Sequence, residues 1–211
     1  MRRLATLFFI GGATVLMSFA NPATEKPVKA AKHATARAVY QVDNQQSKLT
    51  WTAKKVTGQH TGNIGVTEGA LELDKNVLKG GSFTLDTRSI TVTDITNPDA
   101  NGKLTGHLKS DDFFSVEKHP TATFVITSVG AKGNGSYDVN GKLTIKGITN
   151  SITFPAEVTV AGNKATAKAT IKVDRTKYDI KYRSSNFFEN LGDKAIHDEF
   201  TIDVVLVANA K

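Results

Sequence analysis

The residues able to do chemistry are few and dispersed. Five histidines occur, His33, His60, His107, His119 and His197, and none lies within five residues of another. The close His–His spacing that sets two imidazoles on one helix face for a metal is therefore absent. The chain has no cysteine, which removes thiolate metal ligands, a thiol nucleophile, a disulfide framework and a lipid-bearing N-terminal cysteine. No Gly-x-Ser-x-Gly elbow and no phosphate-cradling glycine loop before a helix is found. Most carboxylates, such as Glu68, Glu72, Asp111 and Asp112, fall at surface-type positions of strands or a helix, and the sequence by itself locates no acid pair for glycoside hydrolysis. These observations point away from an enzyme and call for no metal and no cofactor.

The aromatic residues suggest an apolar function instead. Trp51, Phe83, Phe124 and Phe154 fall on strand-like segments, Phe113-Phe114 close a helical one, and Tyr178, Tyr182, Phe187 and Phe188 crowd a late loop. A barrel of about eight strands is just wide enough to be filled by its own side chains or to hold one small ligand. Ala53, Ala165, Ala167 and Ala169 are small residues that leave room for a guest if they face inward.

The elements that must position these residues are strands. The 211 residues are 39% hydrophobic and 22% charged, which excludes wholesale disorder and suits one good-sized domain. Twenty-six are threonine, a β-branched residue that prefers strands. From Val39 to Ala208 apolar and polar residues alternate with period two, as in Leu49, Trp51 and Ala53 against Lys48, Thr50 and Thr52. Ile90 and Val92 are out of phase with Phe83 and Leu85, which predicts a bulge near Arg88. Further strands are expected over Thr123–Val129, Gly135–Lys146, Ser151–Val160, Lys164–Arg175 and Phe200–Val207. Turn chemistry is expected at Gly133-Asn134-Gly135, Asn140-Gly141 and Gly162-Asn163. The segment Asn97 to Phe114 breaks the rhythm: Pro98-Asp99 is a helix start, and Leu104, His107, Leu108 and Asp111 follow at spacings of three and four. The fold expected is all-β, an antiparallel barrel of about eight strands with one short helix, closed so that no sheet edge is exposed.

The N-terminus reads as an export signal. Arg2 and Arg3 precede an uncharged apolar run to Met17, and Ser18-Phe19-Ala20 offers the small residues a signal peptidase reads. Removing residues 1–20 takes away those two arginines and no acid, lowering the formal charge from +7 to +5. Residues 21–38, rich in Ala, Lys, Thr and Pro, read as a flexible basic linker. The barrel domain is expected over 39–211. The basic residues beyond the linker are scattered, so nucleic acid is not an expected partner.

Ordered blocks of the chain resemble one family across about Val39 to Ala208. Tyr40-Gln41-Val42-Asp43 and Ser47-Lys48-Leu49-Thr50-Trp51 open the match, and His60-Thr61-Gly62-Asn63-Ile64 and Glu68-Gly69-Ala70-Leu71 continue it. Gly80 to Ile90 is similar to the family's G-x-F-x-I-D-x-x-S-I block, and Gly141 to Thr149 to its G-x-L-T-I-K-G-V-T block. The most specific signature is His107 to Phe114 followed by His119-Pro120-Thr121-Ala122-Thr123-Phe124. The family is the YceI-like lipid-binding proteins. The departure lies at Val173 to Ile180, where Asp179 replaces a small residue, and Lys181 to Lys194 makes a longer aromatic loop than many members show.

The resemblance implies a lipocalin-like barrel with an apolar interior, exported to the bacterial periplasm, that carries a polyisoprenoid, an isoprenoid quinone or a fatty-acid amide. On this view Trp51, Phe113, Phe114, Phe124, Leu143 and Phe154 line the cavity. Arg175 faces the polar head group, with Lys177 or His60 in reach of it. The partners expected are a long-chain isoprenoid or acyl lipid, a transient contact with a membrane surface, and a second copy of the chain in a homodimer. Two other readings stand beside it: a solid-cored interaction module without ligand, and a lipid-modifying enzyme using the same cavity.

Overall fold

The computed structural model describes residues 37–211, so the signal-peptide reading and nearly all of the linker lie outside the described residues. Nine strands and one α-helix follow in order: β1 (Ala38–Val42), β2 (Lys48–Lys55), β3 (Gly58–Asp74), β4 (Val77–Val92), α1 (Pro98–Lys109), β5 (Thr121–Gly133), β6 (Ser136–Ile145), β7 (Ile148–Ala161), β8 (Lys164–Asp174) and β9 (Ile196–Ala210). Two 3-10 turns, η1 (Arg175–Tyr178) and η2 (Gly192–Lys194), lie between β8 and β9.

The strands close into an antiparallel barrel in the order β3-β2-β9-β8-β7-β6-β5-β4, with β4 returning to β3. Closure leaves eight staves, because β1 and β2 share one position. Lys48 to Lys55 lie between the early part of β3 and most of β9, and Tyr40 to Val42 lie between the late parts of the same two strands. The break between them is an Asp43 turn. The Asp43 carboxylate accepts from the Gln45 and Gln46 amides, each at 3.1 Å, and the Ser47 amide returns to the Asp43 carbonyl at 3.0 Å.

The expected bulge is present. Asn63 pairs with Thr91 but Gly65 pairs with Asp86, so β4 spends five residues where β3 spends two. The Ser89 hydroxyl fills the interruption, accepting from the Gly65 amide (2.7 Å) and donating to the Asp86 carbonyl (2.6 Å). The inward phase shifts as a result, from Leu85 and Thr87 to Ile90 and Val92.

Two expectations need correction. The helix stops at Lys109 rather than continuing to Phe114. Asn97 caps its start by accepting from the Ala100 amide at 2.9 Å, and Ser110 ends it, with both its amide and its hydroxyl turned back to the His107 carbonyl. Ser110, Asp111 and Asp112 are residues whose side chains compete with helical hydrogen bonds, so the chain leaves the helix in tight turns that carry Phe113 and Phe114. Asn140-Gly141 is not a turn either but the middle of β6. Glycine is needed there because a Cβ would overlap the Phe124 ring. The turn into β7 is Lys146-Gly147, with φ of 51° and 74°, a two-residue hairpin in which both residues adopt positive φ.

Inward side chains of all the staves form one core, from Leu49 and Trp51 on β2 through Leu85, Phe124, Leu143 and Phe154 to Leu206 on β9. Trp51 enters it because Gly62 on the neighbouring strand has no side chain: a Cβ there would lie 2.6 Å from the indole and overlap the Thr91 carbonyl. The same carbonyl accepts the Trp51 indole N–H at 3.2 Å.

Candidate functional site

Within the barrel are two cavities that meet end to end. The first, of about 100 Å³, is walled only by strand side chains, among them Phe83, Phe124, Val139, Phe154, Ala167 and Ile171. The second, of about 80 Å³, lies toward α1 and is walled by Trp51, Ala53, Ile90, Phe113, Phe114 and Phe200, among others. Leu85, Leu143 and Ile202 border both, so a single layer of aliphatic side chains divides them.

The residues singled out from the sequence separate into three groups. Phe124, Leu143 and Phe154 wall the first cavity, and Trp51, Leu143, Phe113, Phe114 and Arg175 wall the second. Phe124 sits between Phe83 (ring centres 6.4 Å apart, stacked) and Phe154 (5.4 Å), an aromatic row across the first cavity. His60 borders neither cavity. It lies on β3 with its Nδ1 2.8 Å from Asp94, a pair that also receives the Thr61 amide. Ala53 borders the second cavity and Ala167 and Ala169 the first, while Ala165 is fully buried opposite Ala208.

Arg175 is 4% exposed, and its guanidinium is already engaged. It donates to the carbonyls of Ile180 (2.8 Å), Ile196 (2.9 Å) and His197 (3.0 Å) and lies 3.3 Å from Asp198. One side chain thus ties η1, the turn after it and the start of β9, closing the base of the second cavity. Burial pulls the guanidinium below its ordinary pKa, and the charges of Asp198 and Asp174 oppose that pull. Burial likewise pushes the nearby Tyr178 phenol up, with Asp174 adding to the effect.

The end of the barrel over the second cavity is built from α1, the turns after it and the long loop. His107 packs edge-on against Phe113 (5.0 Å) and Tyr182 (4.7 Å) and bonds Asp112 at 2.8 Å. In the turns, the Ser115 hydroxyl bonds the Asp111 carboxylate and the Phe114 amide returns to Leu108. Those contacts explain the densest block of the sequence signature: it folds a stopper from which Phe113 and Phe114 reach inward. Of the late aromatics, Tyr178 is buried, whereas Phe187 and Phe188 are about half exposed.

Sequence reasoning missed Leu85 and Ile202, which divide the cavities, and Ile152, Ile171 and Val204, which wall the first. The period-two alternation marks them all as inward, but it says nothing of which inward residues border empty space. Among the described residues no cluster of His, Asp and Glu is arranged to hold a metal, and no helix is long and apolar enough to cross a membrane.

The model of the YceI-like domain matches residues 40–208, the whole barrel but for its outermost residues. The chain belongs to this family. A UPF0312 protein of Vibrio parahaemolyticus is 34% identical over 124 residues, covering 53% of this chain and 66% of that protein. A UPF0312 protein of Pseudomonas paraeruginosa is 42% identical over 90 residues, covering 39% and 47%. The matches therefore span about half to two thirds of the length of these relatives. Among solved structures, BcnA of Burkholderia cenocepacia superimposes with a TM-score of 0.66 at 23% identity, covering 80% of this chain and 99% of that one. A polyisoprenoid-binding domain from Saccharophagus degradans does so at 0.60 and 16% identity, covering 82% and 98%. These likenesses establish the YceI barrel fold.

Proposed function

We propose that this YceI-family barrel is a non-enzymatic carrier that holds the hydrocarbon chain of an amphiphilic lipid in the two cavities of its interior. The observation that carries the reading is the wall of the first cavity, whose residues are all apolar but for Lys168, exposed on the outer side. Burial of each methylene contributes roughly 0.8 kcal/mol, and a chain has many, so a dry tunnel suits an acyl or isoprenoid tail. The domain from Saccharophagus degradans, described as polyisoprenoid-binding, has the same fold and supports this class of ligand. Isoprenoid, quinone and fatty-acid amide are the three tails considered. Residues 1–20 are read as the export signal that delivers the carrier to the periplasm.

The volumes set a requirement. An engineered cavity of about 150 Å³ takes up benzene, and each cavity here is smaller than that. A long chain enters only if the layer of Leu85, Leu143 and Ile202 turns aside. A barrel whose layer never moves is the solid-cored module, and that is the second reading.

The test is organic extraction of the purified mature protein followed by mass spectrometry. A stoichiometric long-chain compound is expected, and its mass names the ligand class. An empty extract, repeated after incubation with membrane lipid, moves the assignment to the solid-cored module. Replacing Phe124 with Asp, in the middle of the aromatic row, is expected to abolish lipid retention. A folded variant that keeps its full load overturns the cavity assignment.

A further inference from the structure

The barrel wall is not bonded along its whole length. The β7–β8 ladder runs from the Gly162-Asn163 turn only as far as Ala156 opposite Ala169. Beyond it, Ser151 to Pro155 bond to β6 alone, and Thr170 to Asp174 to β9 alone. The two edges meet again where the Asn150 side-chain amide donates to the Lys177 carbonyl at 2.9 Å. Between these ties lies a window about five residues long, roughly 17 Å at the rise of an extended strand.

Three features mark this window as an entrance. The first is what lies behind it: Ile152 and Phe154 on one edge and Ala169 and Ile171 on the other all wall the first cavity. The second is what lies in front. An outer groove of about 490 Å³ runs past Pro155, Ala156, Ala169 and Thr170. Groove and cavity share Ala156, Lys168, Ala169 and Val204, so a single layer of residues, two of them alanine, separates outside from inside at this point. The third is the edge itself. Pro155 has no N–H to give to a neighbouring strand, and proline in a sheet is confined to such unpaired edges.

A second unpaired stretch shows the contrast. Residues 77–81 of β4 and 126–133 of β5 also lack a mutual ladder, but there the Tyr137 hydroxyl reaches from β6 to accept the Leu78 amide at 3.3 Å. Tyr137 is 5% exposed and stoppers that seam. At β7–β8 the gap is backed by Ile152, Phe154, Ala169 and Ile171, apolar side chains that offer the strand edges no hydrogen bond.

We propose that a single-chain amphiphile enters and leaves sideways, through the β7–β8 window, its tail passing into the first cavity while its polar end rests in the outer groove beside Lys168. Lys168 is exposed between the inward-facing Ala167 and Ala169, so its side chain lies on the groove side of the wall, which suits the boundary between tail and head. The end of the barrel next to the window, closed by Phe113, Phe114 and the Arg175 clamp, is then not the route. This inference rests on the carrier reading above.

The chain has no cysteine and one tryptophan, so one experiment serves. Thr153→Cys and Lys172→Cys, on exposed positions of the two window edges, and Phe188→Cys, half exposed in the loop between η1 and β9, are each labelled with the same bulky maleimide. Uptake of cis-parinaric acid from vesicles is followed by energy transfer from Trp51. A label on either window edge is expected to slow uptake about tenfold or more while the label at Phe188→Cys leaves it unchanged, because a block on the route acts on the association rate. Unchanged uptake with both window labels, or slowing by the Phe188→Cys label alone, overturns the window. If the unlabelled wild-type protein takes up no parinaric acid at any time, the carrier reading fails, and the window with it.

Discussion

The two halves of the barrel interior are built from different materials. The half under α1 is finished by loops and held by polar groups: Arg175 spans three backbone carbonyls, and the Thr87 hydroxyl bonds the His119 carbonyl at 2.7 Å. The other half is finished by strands alone, and its wall is thin where Ala156 and Ala169 face each other. The difference teaches that a barrel end finished by loops needs side chains that pair the carbonyls turned inward, whereas a side finished by strands is held by their ladders and weakens where a ladder stops, as it does beyond Ala156 and Ala169.

Breaking the polar half has the largest expected effect. Arg175→Met leaves the Ile180, Ile196 and His197 carbonyls without their donor and Asp198 without its ion-pair partner, and a loss of about 3–5 kcal/mol is expected, read from urea unfolding. A loss below about 1 kcal/mol, the ordinary surface range, contradicts the clamp. Leu143→Ala cuts the layer between the halves. It is expected to cost about 2–5 kcal/mol without ligand, and added lipid should restore more of the midpoint than it adds to wild type. Equal restoration in both means that the layer does not gate the tunnel.

Filling the apolar half is milder. Ala167→Phe places a ring in the first cavity, with an expected cost of about 1–3 kcal/mol from overpacking and a lost lipid load. The smallest effect lies outside both halves. The Gln46 amide, opposed by partial burial and helped by the Gln46 side chain and the Gln45 amide, holds the Asp43 carboxyl below its ordinary 3.8. A depressed folded-state pKa stabilises the fold above 3.8, and that contribution is lost as pH falls through the lower folded value. Asp43→Asn is expected to flatten this part of the acid dependence of the unfolding midpoint. An unchanged acid limb removes Asp43 from the account.

The sequence made the staves legible because a half-buried strand imposes period two. It made the β4 bulge legible because Ile90 and Val92 break phase with Leu85. It misled at Asn140-Gly141, where glycine makes room for the Phe124 ring instead of bending the chain. The helix end was overrun because Leu104, Leu108 and Asp111 keep helical spacing past the point where Ser110 turns back to His107. Of the site, the aromatic wall was legible from residue type. Arg175 was read as a head-group contact because a sequence does not show that three carbonyls converge on it. Pro155 did carry a signal: a proline within an apolar run marks an unpaired edge.

The most direct test of the central claim is native mass spectrometry of the wild-type protein and the Ala167→Phe variant after exposure to vesicles of bacterial membrane lipid. The wild type is predicted to gain the mass of one amphiphile, and the folded variant to gain none. A wild type that gains nothing, or a variant that gains the same mass, contradicts a lipid held in the first cavity.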